Sequence, residues 1–252
     1  MADKVTGIVV HTANYGESDR MITIFSPDVG CVDAGIRFIR RPKSKLRAAG
    51  QLFCYGQFML HRLGAGKYTL IQFELCDSFF DLATDLDAFS YAAFLCGICR
   101  EAVQREEPAP GLFALLLHAL TQMCYNKEVP PQDIGMATML KMMDELGFMP
   151  QLTACSVCGK EVSGAAKFSA RLGGVLCGNH ADEDRQATDL SAGAASMMRL
   201  VLEAPMNKMA GLRLTPAIRQ QWFAAIPGFV HWRMEKRFKS SRLLEIFHQI
   251  NG

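Results

Sequence analysis

Three features of the sequence predict an α+β protein, with a small β-barrel at its amino-terminal end followed by an α-helical domain that carries a structural zinc finger. Residues 5–77 hold short apolar runs of strand length punctuated by turn residues. Residues 81–147 change to a helical period. Two pairs of metal-ligand residues, Cys155 with Cys158 and Cys177 with His180, then stand with eighteen residues between the pairs. A chain of 252 residues is long enough for two domains. The expected division is 1–80 for an OB-fold nucleic-acid-binding domain and 81–252 for the helical domain, with the zinc-binding module at 153–182.

The strand runs are Ile8 to Val10, Met21 to Phe25, Val29 to Ile36 and Leu52 to Leu60, with turn signals at Tyr15-Gly16, Pro27-Asp28 and Gly64 to Gly66. A fifth run alternates, so that Ile71, Phe73 and Leu75 are expected on one face and Gln72 and Glu74 on the other. Five strands with a short helical candidate after the third fit a Greek-key barrel of the OB type, and an SH3-like barrel is the competing architecture. Glu17, Ser18 and Asp19 follow Tyr15-Gly16 and read as turn formers, because their side chains can bond local backbone amides.

Helices are expected from Asp85 to Glu106, from Pro110 onward with Leu112, Phe113, Leu116, Leu117, Leu120 and Met123 on one stripe, and from Gln132 to a stop at Gly147. Cys96-Gly97-Ile98-Cys99 imitates a redox motif, but it lies inside a helix without a second pair and reads as core. Ser191 opens a further helix to Glu203. Thr215-Pro216 caps another that Pro227-Gly228 is expected to interrupt, and a closing helix runs from Phe229 to Ile250. Among the nine cysteines, Cys31, Cys54, Cys76, Cys96, Cys99 and Cys124 sit in apolar neighbourhoods and read as core residues of a reducing compartment.

Cys155, Cys158, Cys177 and His180 offer three thiolates and one imidazole, which complete a tetrahedral sphere. The alternative is four ordinary buried residues. A sphere closed by protein ligands implies structural zinc, whereas a hydrolytic zinc keeps one position open beside a general base. Neither a His-x-Glu pair nor a His-Glu-x-x-His helix is present.

The net charge of +2 conceals an asymmetry: residues 1–80 carry +3, 81–150 carry −6 and 191–252 carry +6. Such a distribution suits one face for a polyanion. Its densest part is the stretch from Arg37 to Arg47, where Arg37, Arg40, Arg41, Lys43, Lys45 and Arg47 place six cations in eleven residues without an acid. A solvated loop is one reading and phosphate binding the other. Tyr15, Phe38, Tyr55 and Tyr68 are candidate stacking or packing residues. No Walker-type phosphate loop is present, which accords with chemistry that does not use ATP. No basic-then-apolar leader and no bilayer-length apolar run is found, so a soluble, intracellular protein without a membrane role is expected.

The runs Thr6 to Val10, Tyr15 to Arg20, Phe25 with Gly30, and Arg40 to Ser44 resemble the amino terminus of the bacterial RecO recombination mediators. The stretch Leu146 to Leu152 and the run Gly173 to Cys177 are also similar to theirs, and the resemblance spans nearly the whole chain, weakening beyond about residue 185. Many members of that family close the zinc with a fourth cysteine where this chain has His180, itself a competent ligand. The resemblance implies a non-catalytic DNA repair and recombination protein that binds single- and double-stranded DNA, anneals complementary strands and acts with RecR. It further implies contact with the acidic carboxy-terminal tail of single-stranded DNA-binding protein and, indirectly, RecA loading. The methionines of the third helix are candidates for core or for an adaptable groove that hosts such a tail. A zinc-dependent nucleic-acid-modifying enzyme and a protein-binding scaffold are the alternatives from other classes.

Overall fold

The computed structural model describes residues 2–41, 46–64 and 67–235. Two compact units are present, Met1–Cys124 and Tyr125–Gly252. The first is built on strands β1 (Ala2–Tyr15), β2 (Asp19–Ser26), β3 (Gly30–Ile36), β4 (Tyr55–Gly64) and β5 (Lys67–Asp77). They close into a barrel in the order β1-β2-β3-β5-β4. This is OB topology: β1 pairs with β4 along its first half and with β2 along its second, and a parallel β3–β5 contact completes the ring. A single 3-10 turn, Ala48–Gly50, lies between β3 and β4, where a short helix was expected.

Alternation fills the interior with Val5, Val9, Ile22, Ile24, Val32, Ala34, Ile36, Phe58, Leu60 and Leu70. A bulge between Val9 and His11 bends β1 where it leaves β4 and joins β2. Gly7 and Gly56 face each other across that bend, and a Cβ at either would collide with a neighbouring carbonyl.

The expected alternation in β5 fails. Leu70 is buried and Phe73 packs on Phe58 with ring centroids 4.8 Å apart, but Ile71 and Leu75 are 53% and 48% exposed. The register steps from Leu60↔Leu70 to Met59↔Gln72, so Ile71 is an extra residue that shifts the phase. A second step near Tyr55 leaves Cys76 outside the register. Cys76 is therefore exposed and Cys31 half-buried, contrary to the core placement expected of them, whereas Cys54, Cys96, Cys99 and Cys124 are buried.

Helix α1 (Leu86–Ala102) packs on β1 and β2, its first turn capped by Asp85, which accepts the Ala88 amide at 3.0 Å. Helix α2 (Pro110–Tyr125) sets Phe113 edge-on against Phe25 at 5.6 Å. Cys96 and Cys99 are fully buried in α1, where burial pushes both thiols well up and keeps them unreactive.

The second unit contains α3 (Pro131–Glu145), a three-stranded sheet in the order β7-β6-β8, α4 (Ala192–Glu203) and α5 (Pro216–Arg233). The strands are β6 (Ala166–Ser169), β7 (Gly174–Leu176) and β8 (Thr188–Leu190). Met136, Met139, Met142 and Met143 are all buried, so the methionines of α3 are core rather than groove. Ser191 and Thr215 cap α4 and α5 as expected. The break expected at Pro227 does not occur. Proline removes one helical donor, but Ile226, Phe229 and Val230 are buried, Phe229 edge-on to Phe168 of β6, and hold α5 continuous through it. The closing segment expected to Ile250 lies, beyond residue 235, outside the described residues.

One ion pair joins α3 to α5. The Arg219 Nε donates to Asp133 Oδ1 at 2.6 Å and a terminal nitrogen donates to Oδ2 at 3.0 Å, while the Leu214 amide donates to the same Oδ2 at 2.9 Å. The Asp133 side chain is wholly buried. Removing one member of such a pair strands the other charge and costs about 3–5 kcal/mol. Asp133→Ala should therefore lower the unfolding free energy measured in urea by that amount, and replacing both residues by leucine should cost less than the single substitution; the reverse order would show that the pair does not act as a unit.

Candidate metal centre and nucleic-acid interface

The metal-ligand pairs sit on two knuckles. The first is a tight turn in which the Gly159 amide donates to the Cys155 carbonyl at 2.8 Å, with Gly159 in the left-handed region at φ 71°. It is clasped by the Cys155 amide on the Lys160 carbonyl and by the Val162 amide on the Thr153 carbonyl. The Ser156 amide donates to the Val175 carbonyl at 2.9 Å, which fastens this knuckle to β7. Gly174 allows the approach, since a Cβ there would strike the Gln151 carbonyl. The second knuckle follows β7 directly: Cys177 ends the strand and a 3-10 turn, Gly178–His180, returns the imidazole to it.

The four ligand atoms lie within 4.8 Å of one another. Cys158 Sγ is 3.9 Å from Cys177 Sγ, and His180 Nδ1 is 3.8 Å from Cys155 Sγ and 3.3 Å from Cys177 Sγ. Metal–sulfur and metal–nitrogen bonds of tetrahedral zinc set ligand separations of about 3.8 Å for two sulfurs and about 3.6 Å for sulfur and nitrogen. The cluster therefore fits a tetrahedral ion and can hold a metal. Burial opposes ionisation of Cys155, yet hydrogen bonds from the backbone of Cys177, Cys158 and Val157 outweigh it and bring that thiol down to about 6. Cys177 is pushed up, first by burial and then by the neighbouring sulfur of Cys155. A bound ion would relieve this competition, since Cys155, Cys158 and Cys177 would ligate it as thiolates.

The loop after His180 is anchored to β6. Ser169 Oγ donates to Asp184 Oδ2 at 2.6 Å and accepts the Leu172 amide, and the Asp184 carboxyl is held low by the Ser169 hydroxyl above all. Arg233 at the end of α5 donates to the Arg171 carbonyl at 3.0 Å across the turn at Gly173. The Arg233 guanidinium is thus engaged by main-chain carbonyls.

In the first unit, Arg37, Arg40, Arg41 and Arg47 are exposed on the segment after β3, while Pro42 to Lys45, and so Lys43 and Lys45, lie outside the described residues. Ile39 is buried in the barrel interior between them. Three bonds fix the segment to the β1–β2 turn and to itself: the Phe38 amide donates to Asp19 Oδ1 at 2.8 Å, the Arg40 amide to the Ser18 carbonyl at 3.2 Å, and the Arg41 amide to the Phe38 carbonyl at 3.1 Å. Among the described residues, Arg37, Arg40 and Arg41 make no ion pair. Arg20 by contrast is engaged, donating to the Gly50 carbonyl at 2.7 Å and to Asn14. Tyr55 packs on Phe113, and Tyr68 lies under Arg105 and accepts its guanidinium at 2.8 Å, so both are packing residues; Tyr15 and Phe38 remain exposed. Asp19 was expected to bond a local turn amide and instead accepts the Phe38 amide nineteen residues on, and the Ser169 hydroxyl reaches Asp184 across fifteen residues, so neither bond had a local sequence signature.

An OB-topology barrel with an exposed arginine segment, and a second unit that carries a three-cysteine, one-histidine cluster able to hold a metal, define the class: a small-barrel protein with a candidate metal knuckle. The model of the recombination protein O N terminal matches residues 1–79, and that of the recombination protein O C terminal matches residues 83–242. Relatives named DNA repair protein RecO include one from Acetivibrio thermocellus, 29% identical over 247 residues and covering 98% of each chain. One from Bacillus cereus is 30% identical over 245 residues and covers 97% of each. The chain belongs to the RecO family of DNA repair proteins. No helix among the described residues is long and apolar enough to cross a membrane.

Cys158→Ser should take the bound metal well below one ion per chain and lower the melting temperature by several degrees, because a three-ligand site loses its crosslink. His180→Cys should keep metal and melting temperature near parental values, since four sulfurs serve as well as three and a nitrogen. Elemental analysis with thermal melting checks both, and a parental melt for Cys158→Ser would remove the cluster from the stability of this unit.

Proposed function

We propose that the chain is a recombination mediator that binds single- and double-stranded DNA, anneals complementary strands without ATP and helps load RecA onto DNA coated with single-stranded DNA-binding protein. The observation that carries this reading is the exposed arginine segment after β3 of an OB-topology barrel, in which Arg37, Arg40 and Arg41 make no ion pair among the described residues, in a member of the RecO family. Lys43, Lys45 and Arg47 are assigned to the same interface. Cations bound to the phosphates of two strands remove the repulsion that keeps complementary strands apart, so annealing needs neither hydrolysis nor a catalytic residue. Zinc is the metal that the donor set selects, in a structural role: four protein ligands fill its sphere and leave no position for a reactive water. That is the reason for placing a zinc-dependent nucleic-acid-modifying enzyme second. RecR and the acidic tail of single-stranded DNA-binding protein are proposed as partners from family membership, with a cytoplasmic, nucleoid-associated location.

A purified full-length chain should accelerate annealing of complementary oligonucleotides without nucleotide, followed by energy transfer between end labels. On strands coated with single-stranded DNA-binding protein, deleting the acidic tail of that protein should slow the reaction. Arg40→Ala, Arg41→Ala and Lys43→Ala together should flatten the log–log salt dependence of single-strand binding by roughly one to two, at about 0.7 per lost phosphate contact. Affinity should fall alike for unrelated sequences, as phosphate contacts carry no base information. Parental slope and affinity in a folded variant would mean that the segment is only solvated.

A further inference from the structure

Among the described residues three phenylalanines have left-handed backbones, a conformation that costs a residue with a Cβ of order 1–3 kcal/mol unless its surroundings compensate: Phe38 at φ 55°, Phe53 at φ 71° and Phe79 at φ 45°. For Phe53 and Phe79 the compensation is burial, since each side chain is 2% exposed. Phe38 is 49% exposed and gains no such offset. Its conformation is held by polar contacts, the amide on the Asp19 carboxylate at 2.8 Å and the carbonyl on the Arg41 amide at 3.1 Å. The Arg41 guanidinium carbon lies 4.0 Å from the centre of the Phe38 ring and covers part of the aromatic surface. An apolar ring is thus fixed in solvent, at a cost in backbone energy, in the middle of the arginine segment.

We propose that Phe38 is a stacking platform for an unpaired nucleobase, completed by Arg41, and that it gives this segment its preference for single strands over duplex. The inference rests on the phosphate-binding reading of the segment and adds the base to it. Base–aromatic stacking accepts any base, because each has a π-face, and needs that face uncovered. In a duplex both faces of each internal base are already stacked on neighbours, so the ring has nothing to receive there. Arg41 contributes its charge to the adjoining phosphate and its plane to the ring, a double use open to guanidinium and not to lysine.

Phe38→Gly separates the role of the ring from that of the fold. Glycine adopts φ 55° without strain, so the variant should melt at or above the parental temperature. At fixed salt it should lose about 5- to 150-fold in affinity for a single-stranded oligonucleotide, the value of one stacked base. Its affinity for duplex, its affinity for an abasic strand of equal length and its salt slope should remain parental. Phe38→Trp should recover single-strand affinity and show fluorescence quenching on that strand beyond what Trp222 and Trp232 give in the parent. An unchanged single-strand affinity in Phe38→Gly, or an equal loss on abasic strand and duplex, overturns the platform. If the arginine and lysine variants flatten the salt slope while Phe38→Gly binds like the parent, stacking fails and phosphate binding stands. A parent that binds neither form of DNA overturns both.

Discussion

A ring of five strands closes only with strong coiling, and the two-residue parallel contact of β3 with β5, Ala34↔Tyr68 and Gly35↔Thr69, is where this ring shuts. Much of the first unit follows from that closure. It requires β1 to serve two partners in succession, hence the bulge after Val9 and the facing glycines at positions 7 and 56. It also carries the end of β3 past the β1–β2 turn, which puts the Phe38 amide within reach of Asp19 and the Arg40 amide within reach of Ser18. Turn residues that serve a hairpin in the sequence thereby become the mount of the arginine segment. Ile39, buried in the barrel, anchors a turn that leaves Arg37, Phe38, Arg40 and Arg41 outside.

The second unit solves a different problem. Its sheet has strands of only three and four residues, too short to hold two knuckles together by backbone pairing alone. A metal ion held by the ligand cluster would supply the missing crosslink, joining the turn at Cys155 to the turn at Cys177. Around it, hydrogen bonds from Ser169 and Arg233 tie the flanking loops to the sheet, and Asp133 with Arg219 locks the helices. Under the proposed function, a metal here would organise local structure and the contact with DNA would belong to the barrel.

Much of this was readable in the residues. Strand-length apolar runs such as Met21 to Phe25 marked the barrel strands, Asp85, Ser191 and Thr215 marked helix starts, and paired ligand spacing located the candidate metal cluster. What escaped reading depends on tertiary geometry. The phase of β5 is set by bulges that closure imposes, so Ile71 and Leu75 came out exposed despite perfect alternation. Pro227 was overruled by the burial of its helix neighbours. The strands β6 to β8 are too short to show a period. Asp133 and Arg219 stand 86 residues apart, and nothing local in Phe38 announces a left-handed backbone in a residue with a Cβ.

The central claim is that the arginine segment of the barrel meets single-stranded DNA. Photocrosslinking of the full-length chain to a single-stranded oligonucleotide carrying a photoreactive base, with peptide mapping by mass spectrometry, tests it most directly. The account predicts crosslinked peptides that contain Phe38 and its arginine neighbours. Crosslinks confined to residues 125–252, with none between 37 and 47, would contradict it.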